Sequence, residues 1–249
     1  MRYTIGPVTP FTEVSCDVWS YSFQRRSFYA NGRHWIFYRE SGGDGVWRSS
    51  TDGINWSATT IFRAVSYSVT FAIHFDGTYV HYVYEDGTGN ALYYRRGTPN
   101  ANGTITWSAV EQTVLAGVGG IRYYWVTIGV DSGGYPWIGY QRRGIVGERY
   151  PYVIKSSTND GTWTTEGGFP YQLKNVADNS WIVIPIALTS NRMYVIYSSD
   201  GETLGKLYDA GWGGEEDSGA DPYWGYTISA TTDGDDVLLI ISETVTDNV

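Results

Sequence analysis

The sequence predicts an all-β protein built from a repeated four-stranded unit, and three observations support this prediction. The chain of 249 residues contains 11 Trp, 22 Tyr and 31 Gly, and only 17% of its residues are charged. Aromatic residues favour strands, and glycine favours the tight turns between them. The other two observations are a tryptophan motif and a hairpin turn, both of which recur along the chain at a regular period.

The first recurring marker is a tryptophan that follows a turn of Gly, Asn or Asp residues. It occurs in DGINW, NGTITW, NDGTW and DAGW, which end at Trp56, Trp107, Trp163 and Trp212. The second marker is a short turn between apolar segments, found at 31–32, 76–77, 132–134, 190–191 and 233–234. Because the two markers stay in step, they indicate a structural repeat.

Each repeat is predicted to contain four strands, A to D. In the second repeat these are 69–75, 78–84, 91–96 and 105–114. Four-stranded units at this spacing are typical of β-propeller blades, which close radially and leave only short edges. We therefore predict one propeller domain over 1–249, with antiparallel blades at about 20–62, 66–115, 122–174 and 178–214.

A fifth blade begins at about 224, and the sequence after that point supplies only strands A and B. The N-terminal segment RYTIGPVTPF is predicted to contribute an outer strand to it and to fasten the ring. This arrangement gives a propeller of five blades. The alternative is that the chain is a fragment of a longer one, and the complete propeller could then have six blades.

One copy of the tryptophan motif, Ser50-x-Asp52-Gly53-x-x-Trp56, resembles the Asp-box of the BNR-repeat, sialidase-like propellers. This copy has one residue fewer between Asp and Gly than the family pattern. The resemblance implies that Asp52 accepts hydrogen bonds from the turn and that Trp56 packs between neighbouring sheets. It also implies that the box lies on the face opposite the ligand pocket.

The B–C loops and the D–A crossings form that opposite face, which we call the funnel face. Concave mouths of this kind are preferred ligand sites. Aromatic rings beside charged groups would suit a sugar, because pyranose faces stack on rings while hydroxyls bond to charged groups. The candidate ligand-binding residues are Arg39, Glu40, Tyr67, Glu85, Trp125, Arg142, Arg143, Trp181 and Trp224.

Whether such a site catalyses a reaction stays open at this level. Sialidases of the resembling family use three arginines, a Tyr/Glu pair and an Asp acid, and carry a Phe/Tyr-Arg-Ile-Pro segment. The pair Arg25-Arg26 lies at roughly that position without the Ile-Pro, and the arginine pairs at 25–26, 95–96 and 142–143 do not repeat at one blade position. Glu40 and Glu85 are the candidate carboxylate pair for a glycosidase.

Composition disfavours several other classes of function. A net charge of −9 offers little to neutralise a phosphate backbone, so nucleic acid is not an expected partner. Cys16 is the only cysteine, which excludes an intrachain disulfide and a CxxC metal site, and we expect neither a metal nor a cofactor.

No segment has the length and apolarity of a signal peptide or a membrane span. We expect an extracellular or surface-associated protein that does not insert into a membrane.

The leading hypothesis is a non-enzymatic propeller that binds a glycan or another surface ligand through its funnel face. One alternative is a sialidase-like glycoside hydrolase that uses arginines and carboxylates on the same face. A second alternative is a structural or assembly module.

Overall fold

The computed structural model describes residues 23–40, 43–64, 70–86, 91–220, 222 and 228–241. These residues form strands, turns and loops only, in agreement with the predicted all-β class. In this part of the chain there is no helix of the length and apolarity that a membrane crossing requires.

Four blades are antiparallel sheets in which the strands pair in chain order, except that β9 in blade 2 pairs with β7. Blade 1 consists of β1 (Ser27–Ala30), β2 (Arg33–Arg39), β3 (Gly45–Ser50) and β4 (Thr60–Arg63). Blade 2 consists of β5 (Phe71–Phe75), β6 (Val80–Glu85), β7 (Leu92–Pro99), β8 (Ile105–Trp107) and β9 (Gln112–Leu115).

Blade 3 consists of β10 (Arg122–Val130), β11 (Pro136–Arg143), β12 (Arg149–Lys155) and β13 (Tyr171–Gln172). Blade 4 consists of β14 (Ile182–Ala187), β15 (Met193–Ser199), β16 (Glu202–Tyr208) and β17 (Trp212–Asp217). The fifth sheet is the hairpin of β18 (Ile228–Asp233) and β19 (Asp236–Ile241). The prediction of a five-bladed, all-β propeller is therefore confirmed.

The outer strand of blade 2 differs from the prediction. A single strand was expected over 105–114, but the structure divides it into β8 and β9, which both pair with β7. The interruption allows Glu111 to form an ion pair with Arg63 at the edge of blade 1, at 2.5 Å. It also places the Glu111 carboxylate 2.6 Å from the hydroxyl of Tyr82, which donates to it. The alternation of residues within one strand carries no information about this contact between blades, so the interruption could not be predicted from it.

Aspartates build the A–B turns of blades 2 and 3 in the same way. The Oδ1 atom of Asp131 accepts hydrogen bonds from the backbone N–H groups of Gly133 and Tyr135, at 3.0 and 2.9 Å. Its Oδ2 atom accepts the indole N–H of the buried Trp137 at 3.0 Å. In blade 2, Asp76 binds its own turn and reaches His81 at 2.9 Å. One carboxylate thus fastens each turn to strand B of the same blade.

Aromatic side chains fill the spaces between neighbouring sheets. Trp107 of blade 2 packs edge-on against Trp47 of blade 1, with ring centroids 6.1 Å apart. Trp163 contacts Tyr94 across the next interface, and Trp212 contacts Trp137 across the one after that. Trp107, Trp163 and Trp212, three of the four turn tryptophans, therefore pack one sheet against another.

The four described residues before β1 contact the first strands of several blades. The Gln24 side chain donates to the carbonyl of Val126 in blade 3 at 3.0 Å. The Arg25 carbonyl accepts from the amide of Ile73 in blade 2 at 3.0 Å, and its side chain reaches the Ala230 carbonyl in blade 5. This short segment connects the inner strands of three blades, so it joins the start of the ring to its end.

Several expectations fall outside the described residues. These are the proposed N-terminal outer strand and two of the candidate binding residues, Tyr67 and Trp224.

We predict that Asp131→Ala lowers the free energy of unfolding by about 2 kcal/mol or more. The substitution leaves the buried indole N–H of Trp137 and two turn amides without their acceptor, and buried unpaired donors are costly. Urea denaturation followed by tryptophan fluorescence measures the change. The control is Asp160→Ala, because the Asp160 carboxylate is exposed and bonds only to Thr162 among the described residues. An equal loss in both variants would contradict the prediction.

Candidate functional site

Asp52 fixes a turn, as the motif predicts. Its Oδ1 atom accepts from the backbone amides of Ile54 and Asn55 at 2.8 and 2.7 Å, and Ser50 donates to the same oxygen. These bonds favour the ionised carboxylate and lower the pKa of Asp52 below its ordinary range, the backbone bond from Asn55 being the largest cause. The indole of Trp56 donates to the Gly53 carbonyl at 3.2 Å. All of the acceptor capacity of Asp52 is thus directed to its own loop.

On the same side as Asp52, the turns contact one another both within a blade and between blades. Asn159, in the C–D turn of blade 3, donates to the Gly133 carbonyl in the A–B turn of the same blade at 2.9 Å, and Ser132 donates to Asn191 in the A–B turn of blade 4 at 2.9 Å. The B–C loops, at 40–44, 86–91, 144–148 and 200–201, connect the opposite ends of the strands. These loops form the funnel face, on the side opposite Asp52.

Blade 3 carries a row of three arginines at its funnel end. Arg143, the last residue of β11, is the Cα partner of Arg122 on β10 and of Arg149 on β12. Side chains directly opposite each other in an antiparallel sheet point to the same face, with Cβ atoms about 5 Å apart. We call Arg122, Arg143 and Arg149 the arginine ladder.

Like charges directly opposite each other destabilise a sheet. Within the described part of the chain, no carboxylate oxygen lies within 4.0 Å of a side-chain nitrogen of Arg143 or Arg149. Arg149 instead donates to the Gln141 side chain at 3.3 Å and lies 4.9 Å above the ring of Tyr124. Arg143 and Arg149 therefore place two neighbouring positive charges on a protein whose net charge is −9.

Exposed aliphatic side chains lie in the loop between Arg143 and Arg149 and in the crossing that contacts this loop. In the B–C loop of blade 3, Ile145 and Val146 are 73% and 89% exposed. Val118 is half exposed in the crossing that leads from blade 2 to blade 3. Gly120 in that crossing lies against Ile145, so the crossing and the loop belong to one surface. An apolar rim beside fixed cations can bind a ligand that has both an anionic group and an apolar face.

Glu85 lies at the end of β6, in the blade next to the ladder. Its side chain is buried, and burial raises the pKa of Glu85 to about 7, although hydrogen bonds from Thr70 and the charge of Arg122 oppose the shift. The Thr70 hydroxyl is 3.3 Å from its Oε1 atom. A carboxyl group that titrates near neutrality at the mouth of a fold is a candidate for proton transfer.

The predicted binding residues divide into separate groups. Three of them lie on the neighbouring ends of blades 2 and 3, namely Glu85, Arg142 and Arg143. Arg142 lies on the sheet face opposite the ladder, 5.8 Å above the Tyr152 ring. Arg39 and Glu40 are in blade 1, where the Arg39 side chain donates to the Gly43 carbonyl and the Glu40 amide donates to the Asp44 carbonyl.

The predicted aromatic residues do not form an exposed platform in the described part of the chain. Trp181 is completely buried, and its indole donates to the Val176 carbonyl at 2.9 Å. It therefore belongs to the core, and we leave it out of the proposed binding set. Trp125 occupies a bulge of β10 with φ of 53°, and it packs partly against the apolar cluster between blades 4 and 5.

Two members of the ladder, Arg122 and Arg149, were not among the predicted site residues. One signal for Arg149 is present in the sequence. The turn GIVGE, at 144–148, separates Arg143 from Arg149 symmetrically, so a hairpin places them opposite each other. The position of Arg122 depends on the bulge between Tyr124 and Thr127 and has no such signal.

A tyrosine–glutamate pair is also present, but it lies between blades 1 and 2, away from the ladder. Tyr82 and Tyr84 both donate to Glu111, which forms an ion pair with Arg63. Burial and the Glu111 charge raise the pKa of Tyr82 above its ordinary range, which opposes formation of a nucleophilic phenolate. Among the described residues there is also no group of three or more His, Cys, Asp or Glu side chains arranged to hold a metal ion.

No protein-family model matches the chain, and no curated protein sequence matches it. Similar solved structures include a polysaccharide lyase, ulvan lyase, bound to -[GlcA(1-4)Rha3S]-. It is 13% identical, with a TM-score of 0.52, and the alignment covers 83% of this chain and 57% of the lyase. The chain thus spans less than two thirds of the lyase.

Two further similar structures are propellers of different activity. The Trypanosoma rangeli sialidase in complex with 2,3-difluorosialic acid is 15% identical, with a TM-score of 0.56, covering 85% of this chain and 41% of the sialidase. The Aleuria aurantia lectin in complex with α-methyl-L-fucoside is 15% identical, with a TM-score of 0.53, and the alignment covers 88% of this chain and 69% of the lectin. At these identities the similarity establishes the β-propeller fold alone.

We predict that Glu85→Gln stabilises the protein at pH 8 and not at pH 4. The folded state favours protonated Glu85. The contribution of Glu85 to the free energy of unfolding is therefore fully present below its ordinary pKa near 4.5 and is lost as the pH rises through about 7. Between pH 4 and pH 8 the wild-type protein should lose about 3 kcal/mol of stability through this group, and the Gln variant should not. Urea unfolding at both pH values checks it, with Glu166→Gln at a more exposed ion pair as the control. A gain that is equal at both pH values would contradict the burial argument.

Proposed function

We propose that this β-propeller binds an acidic carbohydrate at the funnel end of blade 3, without transforming it. The observation that carries the proposal is the arginine ladder, where Arg143 and Arg149 face no carboxylate within 4.0 Å in the described part of the chain. Guanidinium groups bind carboxylates and sulfates through paired, charge-assisted hydrogen bonds. An anionic group in this position would also relieve the repulsion between neighbouring arginines.

The surroundings of the ladder support a saccharide in preference to a small inorganic anion. Ile145 and Val146 provide exposed apolar surface beside the charges, and sugar rings present apolar C–H faces. Gln141 is buried, and its amide donates to the Asn179 carbonyl at 3.0 Å, so the group that orients Arg149 is itself fixed. The ulvan lyase structure holds a saccharide of acidic type on the same fold, and the lectin structure holds a fucoside.

Enzymatic action is the second candidate function, and Glu85 is the observation that favours it. A buried carboxyl group with a pKa of about 7 has the property of a general acid or base at neutral pH. In this alternative the ladder orients an acidic substrate and Glu85 exchanges a proton with it. The described residues supply no second catalytic group that contacts Glu85, since Thr70 is the side chain that bonds to it.

The test is a comparison of acidic and neutral oligosaccharides, first on an array and then by calorimetry. We expect uronic-acid or sulfated saccharides to bind and their neutral counterparts not to bind. Arg143→Met and Arg149→Met are each expected to weaken binding about tenfold or more, because each removes a hydrogen bond to a charged group. Affinity is expected to fall as salt concentration rises.

The matched control is Arg33→Met. Arg33 lies at the A–B turn on the opposite face, where its side chain donates to Ser49, so affinity should be unchanged. The proposal would be refuted if Arg143→Met and Arg149→Met bound as tightly as Arg33→Met, or if the wild-type protein bound no acidic saccharide. Turnover of a bound saccharide that disappears in Glu85→Gln would establish the enzymatic alternative, and a stable oligomer without any saccharide ligand would support an assembly module.

A further inference from the structure

A small cavity lies among the first strands of blades 2 to 5. Its walls come from β5, β10, β14 and β18 and from the segment before β1, and its volume is about 120 Å³. Pockets that hold drug-sized ligands begin at roughly 300 Å³, whereas a water molecule takes up about 30 Å³ in the liquid. A ligand of this cavity is therefore an ion or a molecule of a few heavy atoms.

Arg25 brings a positive charge to the wall of the cavity. Its guanidinium donates to the Ala230 carbonyl at 3.5 Å, which is long for a hydrogen bond. Within the described part of the chain, no carboxylate oxygen lies within 4.0 Å of a side-chain nitrogen of Arg25. The guanidinium, with its five N–H donors, therefore has donors left for an anion.

His74 lines the same cavity from blade 2, and its ring lies 6.5 Å from that of His81. The pKa of His74 is lowered to about 3, first by burial and then by the charges of His81 and Arg25, against the opposing charge of Asp76. The ring is neutral at pH 7, so one of its nitrogens carries a hydrogen that it can donate to a ligand. Because the charge of Arg25 acts on this ring, an anion bound to Arg25 is also close to His74.

The backbone of β18 adds a third donor. The Ala230 carbonyl accepts from Arg25, so it points away from β19 and towards the cavity. In an antiparallel pair, the amide and the carbonyl of one residue point to the same side, and this direction repeats at every second residue. The amide of Thr232, which also lines the cavity, therefore points to the same side as the Ala230 carbonyl.

We propose that this cavity binds one inorganic oxyanion, phosphate or sulfate, through the Arg25 guanidinium, the Thr232 amide and the His74 ring. The planar guanidinium fork matches two oxygens of such an ion, and backbone amides in a concave site bind anions. The ion would compensate the charge of Arg25. It would also join β18 of blade 5 to β5 of blade 2 and to the segment before β1.

The site is separate from the arginine ladder, none of whose residues lines the cavity. His74 also lines a wider space of about 350 Å³ between the A–B turns of blades 2 and 3, which offers a route from the side opposite the funnel face. The carboxylates beside this space, Asp76 and Asp131, accept hydrogen bonds from the amides of their own turns. Binding of an oxyanion here therefore does not depend on binding of a saccharide at the ladder.

Nuclear magnetic resonance of protein labelled with ¹⁵N-histidine tests the proposal in the unmodified chain, which contains three histidines. Millimolar sodium phosphate, added at constant pH and ionic strength, should shift the ring signals of His74 until they saturate. The exposed His34 is the internal control and should not respond. No shift at His74, or the same shift when sodium chloride replaces the phosphate, would overturn the proposal.

Thermal unfolding supplies a second measurement. Phosphate should raise the Tm of the wild-type protein by about 2 °C or more above sodium chloride of equal ionic strength, because it binds the folded state. Excluded anions also stabilise proteins without binding, so the specific part is the increase that Arg25→Met loses. Arg33→Met, outside the cavity, and Arg143→Met, in the ladder, should respond like the wild type.

An equal response to phosphate in Arg25→Met and Arg33→Met would overturn the proposal. If Arg25→Met does not fold, the histidine signals of the wild-type protein decide the question. A normal phosphate response in Arg143→Met, together with unchanged saccharide binding by that variant, would support the oxyanion site and contradict the proposed saccharide site.

Discussion

The packing of aromatic sheet faces between neighbouring blades is the interaction on which the rest of the structure depends. Each blade is a small antiparallel sheet that buries its two faces only against its neighbours. The rings that fill these spaces are large, among them Trp35, Trp137 and Tyr82, each no more than 1% exposed. Stacked and edge-to-face pairs of aromatic rings add about 0.5 to 1.5 kcal/mol each beyond the area they bury. A repeated unit of this kind buries its apolar faces by packing against its neighbours in the ring.

This radial packing also separates structural from functional surfaces. Turns on one face bind each other through Asn159, Ser132 and Asn191, and Asp52 is saturated by its own loop. At the funnel end of blade 3, Arg122, Arg143 and Arg149 lie side by side in register on three strands. Like charges in this arrangement disfavour the sheet.

The repeat pattern was sufficient to predict the blades, because it reports on local turns and on residues that are buried in every copy. Trp107, Trp163 and Trp212 seal sheets because each follows a turn that places its ring at an interface. The pattern did not predict strand boundaries where a side chain bonds to a neighbouring blade. Glu111 interrupts its own strand to reach Arg63, and no periodicity within blade 2 contains that information.

The sequence by itself determined the all-β class, the four-stranded blades and the role of Asp52, since all three depend on residues close together in the chain. Only the tertiary structure decided which charged residues meet. Arg122, Arg143 and Arg149 become neighbours through strand register and a bulge, and Trp181 is lost to the core because two sheets close over it. Register and burial are set by contacts between distant segments, so a site built from them is visible only once the blades are assembled.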